Sequence, residues 1–202
     1  LTGDMAEVLW VKGSGGDVGS IKMDGFSTLY MDKLNALRGI YRGVEFEDEM
    51  VGFLPHCTFN LNPRAASIDT PLHAYVPAKH VDHMHPDAKD SKALTQEIFG
   101  DSIGWLPWKK PGYELGLWLS DFCAKNPDAK GVVLESHGLF TWADDAQDCY
   151  DLTLEIIQAA MDWFAKETSG KAAFGGVKHT SLAADQRRAT AARLMPAIRG
   201  MV

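Results

Sequence analysis

The sequence predicts a mixed fold of helices and strands, an α/β or α+β sandwich, and three observations carry that prediction. Residues 144–170 keep a single helical stripe over several turns. Elsewhere, short runs rich in β-branched and aromatic residues are bounded by glycine, proline, asparagine or aspartate. The chain has 202 residues, 46% of them hydrophobic, which suits one globular domain whose helices and strands share a core.

Taken in order, "EVLWVKGSGGDVGSI" reads as a strand over Val8 to Lys12, followed by a glycine loop from Gly13 to Gly19. "STLYMDKLNALRGIY" places Leu29, Leu34, Leu37 and Ile40 close to helical spacing. "VPAKHVDHMHP" is short and ends at a proline, so a strand is expected there. "GYELGLWLSDFCAKNPDAK" predicts an amphipathic helix stopped at Asn126-Pro127. "GVVLESHGLFTW" predicts a buried strand pair or hairpin around His137-Gly138. The helix after it should be capped by Asp144 or Asp145 and ended by Gly170. Cys149, Leu152, Ile156, Ala159 and Trp163 form its stripe. Beyond Gly170 the chain is richer in small and basic residues, and a peripheral helix or a linker is expected.

The net charge of −7 and the pI of about 5.4 argue against a general nucleic-acid binder, which needs a basic face. No apolar run approaches the roughly 18–20 residues needed to span a membrane. The start, "LTGDMAEVLW", has neither the basic opening nor the apolar run of a signal peptide, and no initiator methionine. Cys57, Cys123 and Cys149 are odd in number and lack CxxC spacing. They read as buried, reduced thiols of a cytoplasmic protein.

Three features carry candidate chemistry. On a strand, His83 and His85 point to one face while His80 points to the other. Their imidazoles can therefore share a transition metal such as zinc, or simply be hydrogen-bonded at a strand end. His137 is the candidate third ligand, or else a structural histidine. Asp69, before Thr70-Pro71 and near His73, is a candidate general base or an orienting group. Its alternative is an Asx-turn or helix cap. In "KGSGGDVGS", glycine amides with Lys12 and Ser14 suit a phosphate. The loop matches neither the P-loop nor a full dinucleotide fingerprint, so a plain glycine loop is the alternative.

Together these motifs resemble the class II aldolase/adducin family over about residues 8 to 170. "LWVKGSGGDVGSI", "NPRAASIDTPLHA", "HVDHMHPDA", "FGDSIGWLPW" and "SHGLFTW" are most similar to the aldolase half of bifunctional rhamnulose-1-phosphate aldolase/alcohol dehydrogenases. The resemblance implies a three-layer α/β/α sandwich around a mostly antiparallel central sheet, assembled as a homotetramer with sites between subunits. It implies a zinc ion, or another divalent transition metal, on His83, His85 and His137. Asp69 would be the catalytic carboxylate. Gly13, Ser14, Gly15 and Ser67 would bind the substrate phosphate. The implied reaction is cleavage of L-rhamnulose 1-phosphate to dihydroxyacetone phosphate and L-lactaldehyde. Residues 1–170 would be the aldolase domain, and 171–202 a helical tail or linker toward a dehydrogenase domain.

Some features depart from the family pattern. The early Gly-Asn-Thr/Ser loop has no counterpart, and is expected to precede Leu1. A small-residue helix expected after "HPDA" is missing, which suggests a gap between Ala88 and Lys89. Tyr113 and Tyr150 are available as acids for the aldehyde end, and neither is assigned. "SIDTPLH" also resembles pentulose-phosphate 4-epimerases, and an adducin-like assembly module is a third reading.

Overall fold

The computed structural model describes residues 3–59, 64–86, 91–172 and 176–201. The chain divides into two compact units, residues 1–160 and 161–202. In the first unit, β1 (Val8–Lys12) and β2 (Phe26–Tyr30) form an antiparallel pair. Four further strands make the central sheet in the order β3-β6-β5-β4. They are β3 (His80–Met84), β4 (Ile103–Leu106), β5 (Gly131–Leu134) and β6 (Gly138–Ala143). The β3–β6 and β5–β6 pairs are antiparallel and β4–β5 is parallel.

Helices cover both faces of this sheet. On one face, Leu72 of α3 (Thr70–Ala74) and Leu115 and Leu119 of α5 (Tyr113–Lys125) pack on Val132, Leu134 and Phe140. On the other, Ile156 and Leu152 of α6 (Ala146–Glu167) and Phe99 of α4 (Lys92–Phe99) pack with Ile103, Leu139 and Met84. Each fully buried Leu or Phe in these layers contributes roughly 1.5–3 kcal/mol. The mixed α/β sandwich is therefore as expected. A third core joins β1 and β2 to α1 (Met31–Ala36) and α2 (Glu47–Phe53) through Val11, Leu29, Leu34 and Met50. The second unit holds the end of α6 and α7 (Ala184–Arg199), which buries no residue.

Most local expectations hold. The strand at 8–12 forms, α5 ends at Asn126, and the hairpin forms on either side of His137. Asp145, not Asp144, caps α6, with its carboxylate accepting from the amides of Gln147 and Asp148. All three cysteines are free and buried. The helical reading of residues 29–40 is corrected: Leu29 lies on β2, and the helix begins only at Met31. Ser27, Thr28 and Leu29 are all buried, so β2 is covered on both faces and shows no alternation in its sequence. The suspected gap between Ala88 and Lys89 lies outside the described residues. Among the described residues no helix is long and apolar enough to cross a membrane.

Candidate metal centre

Strand β3 carries the first histidine. Pairing with β6 sets His83 opposite Phe140 and Met84 opposite Leu139. His83 Nδ1 lies 3.1 Å from the Leu139 carbonyl. A carbonyl only accepts, so Nδ1 carries the proton and Nε2 keeps its lone pair. The Phe140 ring is stacked on the imidazole at 3.9 Å with an interplanar angle of 16°, which fixes the ring plane. Burial is the main cause that pushes the His83 pKa down, to about 3, against the pull of the Leu139 carbonyl. The neutral ring is the form that binds a metal.

His85 follows the strand end and is exposed. Its Nε2 lies 2.7 Å from His83 Nε2, so both rings aim at one point. His137 reaches the same point from the turn between β5 and β6. Its ring centroid is 5.1 Å from each of the other two rings. One ligand atom from each histidine lies within 4.8 Å of the others. The turn is built for this: Ser136 adopts φ 52°, a left-handed conformation that is uncommon outside glycine. The residue after His137, Gly138, must be a glycine. A Cβ there would strike the Met84 carbonyl and lie 2.8 Å from His85 Cδ2 and 2.9 Å from His83 Cε1.

The three side chains fit a divalent transition ion. The His137 side chain is only 4% exposed, and its Nδ1 is buried with no hydrogen-bond partner. Such a group is costly unless something occupies it. Burial lowers the His137 pKa, the nearby Asp69 carboxylate opposes that, and His85 adds to it. Three imidazoles are a donor set that suits a divalent transition ion.

Asp69 stands at the start of α3, where its side chain makes no cap hydrogen bond. One carboxylate oxygen lies 3.8 Å from His137 Nε2 and is itself buried without a hydrogen-bond partner. It is therefore aimed at the centre and not consumed by its own helix. Ser67, two residues earlier, accepts from the Asp69 amide with its hydroxyl and from Thr70 with its carbonyl. The turn that presents Asp69 is thus fixed by Ser67.

The glycine loop joins the same neighbourhood through the backbone. Gly13 bridges Ala66, the Gly13 amide donates to Gly25, and the Ser14 amide donates to Ala65. The amides of Gly13 and Ser14 are thereby occupied. The exposed part of the loop offers the Ser14 hydroxyl and the amides of Gly15 and Gly16, both at positive φ (74° and 79°). Lys12 folds over it, its ammonium 2.7 Å from the Gly15 carbonyl.

Other residues separate from the site. His80 is exposed and on the opposite face of β3, as its spacing predicts. Tyr113 is buried in the core around β1 and β2 with its hydroxyl 2.8 Å from that of Tyr75. Tyr150 is exposed on α6. Sequence reasoning missed Phe140 and the role of Gly138. The register of β3 on β6 is the signal that exposes both.

Comparison with known proteins bears on the family and the fold. A curated Bacillus subtilis (strain 168) protein, the uncharacterized oxidoreductase YuxG, is 38% identical over 203 residues, covering 97% of this chain but 29% of its own length. The chain therefore spans under a third of that relative. The N-terminal class II aldolase domain of a conserved Thermoplasma acidophilum protein superposes with a TM-score of 0.68 at 30% identity, covering 78% of this chain and 75% of that one. An L-fuculose 1-phosphate aldolase shares the fold at a TM-score of 0.50 and 12% identity, over 93% of this chain and 80% of that one. Residues 3–163 match the model of the class II aldolase and adducin N-terminal domain, and the chain belongs to that family.

Proposed function

We propose that this chain is a metal-dependent class II aldolase that cleaves a ketose 1-phosphate, with L-rhamnulose 1-phosphate as substrate and dihydroxyacetone phosphate and L-lactaldehyde as products. The observation that carries the reading is the convergence of His83, His85 and His137 beside Asp69, one of whose carboxylate oxygens is buried without a hydrogen bond and faces His137. An adducin-like assembly module needs no such group.

Zinc is the proposed ion, and when bound it supplies Lewis acidity to a substrate carbonyl. The residues divide the remaining work. His83, His85 and His137 hold the ion as neutral ligands. Aldol cleavage breaks the C3–C4 bond, takes a proton from the C4 hydroxyl and returns one to C3. Asp69 is assigned the proton at C3, because its buried oxygen faces the centre and its turn is fixed by Ser67. Ser14, Gly15 and Ser67, on the framework set by Gly13, are assigned the phosphate. The ketose would thus be held at its phosphate and at its carbonyl, which limits its freedom at the reacting bond.

One observation favours a second reading. An aspartate in "SIDTPLH" resembles the pentulose-phosphate 4-epimerases, which break and re-form the same kind of bond. Incubating the zinc-loaded protein with rhamnulose 1-phosphate and, separately, ribulose 5-phosphate distinguishes the two. Dihydroxyacetone phosphate from the first substrate supports the aldolase, and epimer from the second supports the alternative. If neither is turned over, both readings fail.

We further assign residues 1–170 to the aldolase domain and 171–202 to a helical segment leading toward a dehydrogenase domain, in keeping with the oxidoreductase name of the longer relative. A cytoplasmic homotetramer with sites between subunits completes the proposal. Sedimentation of the purified chain tests the assembly.

A further inference from the structure

Asp82 is an odd residue for its place. It is a half-buried carboxylate in the middle of β3, where aspartate is a poor strand former. Its side chain points to the face covered by α6, away from His83. There, Thr153 Oγ1 lies 3.0 Å from Asp82 Oδ2 and 2.6 Å from Thr141 Oγ1. The single hydroxyl proton of Thr153 is shared between two acceptors, Asp82 Oδ2 and the Cys149 carbonyl one turn back at 2.9 Å, so the bond between the two threonines is donated by Thr141. Thr141 and Thr153 are 1% and 5% exposed. Thr141 is the direct partner of Asp82 across the β3–β6 ladder, as Phe140 is of His83.

The polar cluster therefore sits directly behind the metal-facing pair and ties three elements together. Its surroundings are otherwise apolar, with Met84, Leu139 and Ile156. Side chains alternate along a strand, so a one-residue slip of β3 would turn Asp82 into the opposite face, among Leu72, Val76 and Phe140. It would also break the Leu139 carbonyl contact that sets the His83 tautomer. An apolar residue at 82 would tolerate that slip much better.

We propose that Asp82, Thr141 and Thr153 are positioning residues: a hydrogen-bonded clamp on the back of the sheet that fixes the β3–β6 register and thereby the metal affinity of the histidines on the front. This rests on the metal-centre reading. None of the three touches the metal or the substrate.

The test is zinc affinity of the purified full chain, measured by competition with a chromophoric chelator, on four proteins. Thr153→Val keeps the shape and removes the hydroxyl. It is expected to weaken zinc binding about tenfold or more, the usual range for groups that orient metal ligands. Thr153→Ser restores the hydroxyl and is expected to bind within about twofold of wild type. Ile156→Val loosens the same helix face without touching the clamp, and should leave zinc affinity unchanged. Histidine nitrogen NMR of the metal-free proteins adds a second readout, with the His83 Nδ1–H signal retained in Thr153→Ser and lost or exchange-broadened in Thr153→Val. Wild-type affinity in Thr153→Val, or equal weakening in Ile156→Val, overturns the clamp while leaving the metal centre standing. Failure of the wild type to bind zinc overturns both.

Discussion

His83 is fixed by a strand ladder, a carbonyl contact and a stacked ring, whereas Ser14 is held by one backbone hydrogen bond in an exposed glycine loop. The proposed function joins the two regions in one site, yet they are built differently. The metal end is assembled from long-range pairing and buried atoms, so its parts depend on one another. The phosphate end is assembled from local backbone geometry at the surface, where water can replace most of what a side chain supplies. Substitutions at the first should abolish binding, while substitutions at the second should only grade it. Asp69 lies between them, fixed by Ser67 on one side and facing His137 on the other.

The largest effect is expected for His83→Ala. Two remaining histidines make a weak site, so bound zinc should fall well below one per chain by elemental analysis, and aldol cleavage should be undetectable. Stoichiometric metal in this variant would sink the idea that the ladder end is the metal centre. Asp69→Asn is next. Its shape is kept, so zinc content should stay near one per chain. Turnover should fall by about 10²–10⁴, the contribution of a positioned acid or base. If Asp69→Asn instead loses the metal, the carboxylate is a ligand and its proposed role in proton transfer is wrong.

Gly138→Ala probes the packing that the ladder end depends on. The added methyl meets the Met84 carbonyl and both ring edges. The strands must part or the rings must turn, and overpacking of this kind costs about 1–3 kcal/mol. Zinc affinity should drop more than tenfold, with a thermal midpoint lower by several degrees. An unchanged affinity would mean the hairpin yields freely, against the rigidity argued for this end.

Much of this was legible in the sequence, for reasons that can be named. The period of two along β3 separates His80 from His83 and His85, and the helical stripe of α6 needs only local spacing. What was not legible depends on distant pairing or on burial from both sides. Phe140 belongs to the site because residue 83 lies opposite residue 140, a contact between segments 57 positions apart. The end of β2 passes for the start of a helix in the sequence because burial on both faces leaves no alternation to read. The occupied amides of Gly13 and Ser14 could not be anticipated, since motif matching treats all loop amides as available.

That last difference gives the smallest and most discriminating prediction. The exposed donors of the loop include the Ser14 hydroxyl and the Gly15 and Gly16 amides, with the Lys12 ammonium on the Gly15 carbonyl. Ser14→Ala removes one neutral, exposed hydrogen bond, worth about 0.5–1.5 kcal/mol. KM for the phosphorylated ketose should therefore rise by between about twofold and about tenfold. Zinc content and the thermal midpoint should not move, because neither the ladder nor a buried core is touched. The same substrate without its phosphate should be cleaved equally poorly by wild type and Ser14→Ala, since the lost contact then has no partner. If Ser14→Ala instead lowers turnover as strongly as Asp69→Asn with KM unchanged, the loop acts at the reacting carbons. The division between a cooperative metal end and a graded phosphate end would then fail.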